Sequence, residues 1–135
     1  MSDVKLIRYM LANNANLIAV VPEVRIFAGV VPLNTVLPAI AVNHLSTVER
    51  NTVAMNTATV LATSRVQVTV LAKSYASQKS ILELIRKALP NANGIINGVN
   101  VDSILPDISG PDLRDDDAGI YMQSRDFMCK IIETT

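Results

Sequence analysis

From residue 65 to residue 70 polar and apolar side chains alternate, Arg-Val-Gln-Val-Thr-Val, which sets Val66, Val68 and Val70 on one face of a half-buried strand. β-Branched side chains suit that pleated surface. Leu71 and Ala72 extend the strand and Lys73 ends it in water. The period then becomes helical. Ile81, Leu82, Leu84, Ile85, Ala88 and Leu89 form an apolar stripe, Ser74 stands where an N-cap is needed, and Pro90 and Gly94 stop the helix. Lys79, Glu83 and Lys87 recur on the other side, spaced to pair along the surface. The valine face needs a cover and the helix stripe supplies one, so this strand–helix unit is the expected centre of the fold.

The remaining elements read more weakly. Ser2 or Asp3 caps a first helix running to about Asn13, with Val4, Ile7, Met10 and Leu11 facing inward, and residues 15–21 add a turn that Pro22 ends. Residues 24–27 are a short strand, and Pro38 opens a clearer one over 39–45. Residues 51–63 are small, polar and weakly patterned, and read as a long hairpin connection, disordered or extended in the free subunit. Residues 91–98 read as a turn, 99–105 as a strand closed by Pro106, 109–112 as a turn and 114–119 as an exposed loop. Residues 120–132 form a long last strand with Tyr121, Phe127, Cys129 and Ile131 on one face. The order of elements predicts an α+β fold: one domain over residues 1–135, a mostly antiparallel four- to five-stranded sheet and two helices packed on one face. The edges of such a sheet need protection, and self-association provides it.

Hydrophobic residues make up 50% of the chain, enough to fill a core. Formal net charge is zero, which argues against nucleic-acid or membrane-surface binding driven by bulk charge. No apolar run approaches the ~18 residues of a membrane span. The first residues lack the apolar segment of a signal peptide, so synthesis in the cytoplasm is expected. The zero hides an asymmetry. Residues 1–100 hold nine Lys or Arg against four Asp or Glu, whereas residues 101–135 hold three against eight. The acids crowd into Asp102, Asp107, Asp112, Asp115, Asp116 and Asp117. Such a split suits an acidic edge of one subunit meeting a basic edge of the next; the alternative is a solvated acidic loop.

Catalytic chemistry finds little support. His44 is the one histidine and lies mid-strand, which suits a structural or surface role and leaves a zinc site without further ligands. Cys129 is the one cysteine, so no internal disulfide forms, and its place in the last strand makes it a small core residue. The five glycines make no phosphate loop. Asp115, Asp116 and Asp117 are consecutive, so their carboxylates diverge, and the alternating ligands of a calcium loop are missing. No nucleophile–base pair is readable, and aromatics at 4% disfavour single-strand stacking platforms. No catalytic residue, metal or cofactor is expected.

The hexapeptide Arg114-Asp115-Asp116-Asp117-Ala118-Gly119, followed by Ile120-Tyr121 and an alternating strand, resembles a segment of the tail terminator, or tail completion, proteins of long-tailed bacteriophages, the lambdoid type above all. The run Leu37-Pro38-Ala39-Ile40-Ala41-Val42 is similar to that family's Pro-initiated strand. The order of Val66-Gln67-Val68-Thr69-Val70 and its helix matches too, as does the short strand Arg25-Ile26-Phe27 before a proline-bearing loop. The resemblance implies a non-enzymatic virion protein of the tail or neck, assembled in the host cytoplasm. Such proteins form a ring, expected to be a hexamer, on the head-proximal end of the tail tube. The ring ends tube polymerisation and presents a surface to the head-completion protein, and DNA passes through its lumen without being read. On this reading Arg114, Asp115, Asp116 and Asp117 lie at a protein–protein contact, with Arg65, Lys73, Arg86 and Lys87 as candidate basic partners on a neighbour. Alternatives are another neck or tube ring protein, either head-completion or tail tube protein, or a small ligand-binding α+β module.

Overall fold

A computed structural model describes residues 2–50 and 59–134. Its helices are α1 (Ser2–Ala12), α2 (Ala15–Ile18) and α3 (Tyr75–Ala88). Its strands are β1 (Ile26–Ala28), β2 (Ala39–Arg50), β3 (Thr59–Ala72), β4 (Gly94–Ile96), β5 (Val99–Ser109), β6 (Leu113–Asp115) and β7 (Ile120–Thr134). The strands join in one sheet of order β1-β2-β3-β7-β5-β4, with β6 beside β7 where β5 leaves off.

The expected centre is present. β3 alternates in burial along its whole length, and Val66, Val68 and Val70 are fully buried. α3 covers that face with Ile81, Leu82, Ile85 and Ala88. Ser74 caps it, its Oγ accepting the Ser77 N–H at 3.1 Å. α1 lies on the same face, with Leu6, Ile7 and Leu11 buried; Leu6 was not among its expected inward residues, and Val4 and Met10 are only partly covered. Phe127, Cys129 and Ile131 of β7 complete the core.

The expected fold class needs correction. The sheet has seven strands and is mixed, not a mostly antiparallel sheet of four or five. β1 runs parallel to β2, so residues 29–38 must return the chain along the strand before β2 begins. The segment read as a strand over 24–27 starts as a 3₁₀ turn, Glu23–Arg25. β2 begins at Ala39, one residue after Pro38, and continues to Arg50; β5 runs through Pro106 to Ser109, with a bulge between Pro106 and Ser109. Of the connection read over 51–63, residues 59–63 belong to β3, where Val60 and Ala62 are buried, and 51–58 lie outside the described residues. β4, read as a turn, pairs with β5 across Asn97 and Gly98, both at positive φ (49° and 78°), as a two-residue hairpin turn requires.

Candidate functional site: the acidic hairpin and its surroundings

β6, the turn at residues 116–119 and the start of β7 form a hairpin in register Leu113↔Met122, Arg114↔Tyr121, Asp115↔Ile120. The six residues from Arg114 to Gly119 are all exposed. Arg114 Nε donates to Asp116 Oδ1 at 2.6 Å, and its guanidinium stands 5.1 Å over the Tyr121 ring. Asp115 Oδ1 accepts the Ala118 N–H at 3.2 Å, which ties the turn to its strand. Gly119 closes the turn at φ 66°, a conformation that glycine adopts without a Cβ penalty. The acids therefore stand on a shaped hairpin rather than in an irregular loop. Among the described residues no group of three or more His, Cys, Asp or Glu is placed to hold a metal ion.

The four candidate basic partners have different fates. Arg65 is held within the subunit, in ion pairs with Asp107 and with Asp126 at 3.1 Å. The hydrogen bond that Arg65 donates to Asp126, aided by Asp107, raises the Arg65 pKa above its ordinary value. Lys73 is exposed and lines a cavity of about 460 Å³ together with residues 31–37, Leu71, Ala118 and Ile120. It thus shares a wall with the acidic hairpin of its own chain. Arg86 and Lys87 are exposed in the last turn of α3, where cations complement the helix dipole.

Two polar constellations escaped the sequence reading. Lys79 does not pair along the helix; its Nζ donates to Asp112 Oδ1 at 2.7 Å and to Gln123 Oε1 at 2.6 Å. Buried Gln78 donates to the same Gln123 oxygen at 3.2 Å, Tyr75 Oη donates to Asp112 Oδ2 at 3.0 Å, and Gln123 Nε2 donates to the Gly110 carbonyl at 2.8 Å. This clasp fastens the start of α3 to the turn that leads into β6, and so orients the hairpin. The second constellation joins buried Asp3 to His44 Nδ1 and continues from His44 Nε2 to Thr47 Oγ1 at 3.4 Å and on to Ser64 Oγ at 3.0 Å. Cys129 is fully buried, and burial, with the Asp3 charge, pushes its thiol up to about 12, so it stays protonated at neutral pH.

The clasp has a definite pH dependence. The hydrogen bond from Lys79 lowers the Asp112 pKa, with Tyr75 adding to it, and the bond to Asp112 raises that of Lys79. A depressed carboxylate contributes stability above its unfolded pKa and loses it as pH falls through the folded value. A raised lysine contributes below its unfolded pKa and loses it as pH rises through the folded value. The stability difference between the wild type and Lys79→Met is therefore expected to be level through neutral pH, and to shrink both below the ordinary carboxylate range and above the ordinary lysine range. Denaturation midpoints across pH check this.

By fold the chain is similar to one in a solved structure described as "Virion of native gene transfer agent (GTA) particle", with a TM-score of 0.76, 14% identity, and 96% of this chain and 94% of that chain covered. At that identity the likeness speaks for the fold alone. In sequence, residues 5–131 match the family described as tail completion protein gp17, and the chain belongs to that family. No curated protein matches it in sequence. The family resemblance drawn from the hexapeptide and the proline-initiated strand is thereby borne out.

Proposed function

We propose that the protein is a structural subunit of a phage-like virion, forming a ring on the head-proximal end of the tail tube. The ring ends tube polymerisation and offers the surface on which the head-completion protein docks. The observation that carries this reading is the family match, which spans residues 5–131 and so includes the sheet, all of α3 and the hairpin. The fold shared with a chain of a virion particle supports it. The partners are further copies of the chain, six in the ring, the tail tube protein and the head-completion protein; DNA crosses the lumen without sequence-specific contact. Complementation tests the role. A phage lacking the protein is expected to make tails of unregulated length and unjoined heads, and the intact gene to restore both; tails of normal length joined to heads in its absence would sink the reading.

Within this reading the hairpin residues Arg114, Asp115, Asp116 and Asp117 bear on a neighbouring subunit or on the next ring. Their exposure and the strand pairing that shapes the hairpin support this. The double change Asp116→Lys, Asp117→Lys is expected to leave circular dichroism unchanged, because both carboxylates are solvent-facing. It is expected to weaken assembly in sedimentation, or to block head–tail joining. Like charges at a contact cost several kcal/mol, whereas at a solvated turn the change stays within ~0.5 kcal/mol. Normal assembly and normal joining would make the hairpin a solvated turn.

A further inference from the structure

Strand β5 forms one side of the sheet over most of its length, because β4 covers only Val99, Asn100 and Val101. The rest of β5, residues 102–109, turns an edge away from β7, and Leu105 and Ile108 stand 44% and 58% exposed on it. An edge of that length with apolar side chains is a template for the strand of another molecule.

Side chains of the same subunit close this edge. Residues 91–93 lead into β4, with Ala92 packed against the core and Asn91 and Asn93 exposed. Asn93 Nδ2 donates to the Asp102 carbonyl at 3.1 Å, and Asn91 Oδ1 accepts the Ile104 N–H at 3.1 Å. Backbone groups alternate in direction along a strand, so the next position facing the same way is 106. Pro106 has no N–H to offer there. Three successive outward positions, 102, 104 and 106, are thus shut to an incoming strand. Water would satisfy exposed edge groups as well, so fixed side chains at this place add exclusion rather than satisfaction. The other side of the sheet is guarded by different means. Arg8 Nε donates to the Ile26 carbonyl of β1 at 3.0 Å, and β2 beyond β1 carries a bulge between His44 and Ser46, then exposed Glu49 and Arg50.

We propose that Asn91, Asn93 and Pro106 form a built-in stop on the β5 edge, which keeps copies of the chain from adding to one another strand on strand. The inference goes beyond the ring reading and stands without it. Whatever surfaces the copies use, backbone pairing along residues 102–109 is not among them. The triple variant Asn91→Ala, Asn93→Ala, Pro106→Thr strips both caps and returns the missing donor. All three positions are exposed, so circular dichroism is expected to match the wild type. In sedimentation the triple variant is expected to form species larger than the largest the wild type forms, with their onset at a concentration at least about tenfold lower. Adding Ile108→Lys puts a charge on the opened edge and is expected to restore the wild-type pattern. Asn93→Ala with Pro106→Thr keeps the Asn91 bond to Ile104, and carries the same test if the triple variant does not fold.

A folded variant that sediments as the wild type does would overturn the inference. So would larger species that Ile108→Lys fails to break up, because the association would then run through another surface. The comparison is with the wild type's own largest species. A wild type that stays monomeric at every concentration would therefore count against the ring and leave this test intact.

Discussion

Val68→Asp is expected to abolish cooperative folding. Val68 is fully buried at the middle of β3, opposite Val42 of β2 on one side and Arg125 of β7 on the other. Its side chain lies in the core beneath the helices. Arg125 stands directly opposite on β7 with its Nε buried and unpartnered, yet a carboxylate at this position must still be taken out of water, and desolvation costs several kcal/mol per ion that pairing repays only in excellent geometry. That compares with a whole-domain stability of ~5–15 kcal/mol. β3 is paired with β7 from Thr59↔Thr134 to Ala72↔Tyr121 and with β2 from Ala39↔Leu71 to Arg50↔Leu61, so admitting water at its middle would break ladder hydrogen bonds. Far-ultraviolet circular dichroism with a denaturant titration reads the outcome. A cooperative transition within 0.5 kcal/mol of the wild type, a difference of surface-substitution size, would mean that the valine face is not the core.

The same residues show why some of the fold was legible in sequence and some was not. β3 and α3 are long enough for their periods to appear, two in one and 3.6 in the other. β1, β4 and β6 have three residues each, too few for any period; the four long strands and the short one read over 24–27 gave four or five, and β4 and β6 were missed. β6 is harder still, since Leu113, Arg114 and Asp115 are all exposed and carry no burial alternation. For β4 a usable signal existed: Asn97-Gly98 is a strong two-residue hairpin cue, and reading 91–98 as one turn passed over it. For the start of β3, burial alternates from Thr59 to Thr63 as in a strand, but the sequence, Thr-Val-Leu-Ala-Thr, runs three apolar residues together and shows no period of two.

The candidate site divides in the same way. The acidic hexapeptide is local, so its exposure could be expected from its composition. The clasp is not local: Lys79 reaches Asp112 and Gln123, and which polar groups meet over such distances depends on strand register. The expected role of Arg65 toward a neighbour met the same obstacle, because Asp107 and Asp126 approach it only once β5 and β7 are in place.

His44 presents the sharpest case of that non-locality, and its removal is expected to cost about 3 kcal/mol, more than a neutral hydrogen bond is worth because a charged group is stranded. The residue was read as structural or at the surface, and its contact with Asp3 makes it structural. Asp3 is 1% exposed, and its Oδ2 is held by His44 Nδ1 across the helix–sheet boundary. Its Oδ1 accepts the Val4 N–H at 2.8 Å, where the start of α1 favours negative charge. Deleting the imidazole leaves the buried carboxylate without the partner that holds Oδ2. The charge, rather than lost packing, is the main cost, since the His44 side chain is 28% exposed and fills little of the interior. A double-mutant cycle separates the two contributions. If the stranded carboxylate dominates, His44→Leu in an Asp3→Leu background is expected to cost far less than in the wild type, because replacing both members of a buried pair with apolar groups is often close to neutral. Equal costs of His44→Leu in the two backgrounds, measured by urea denaturation, would show that Asp3 and His44 are not coupled.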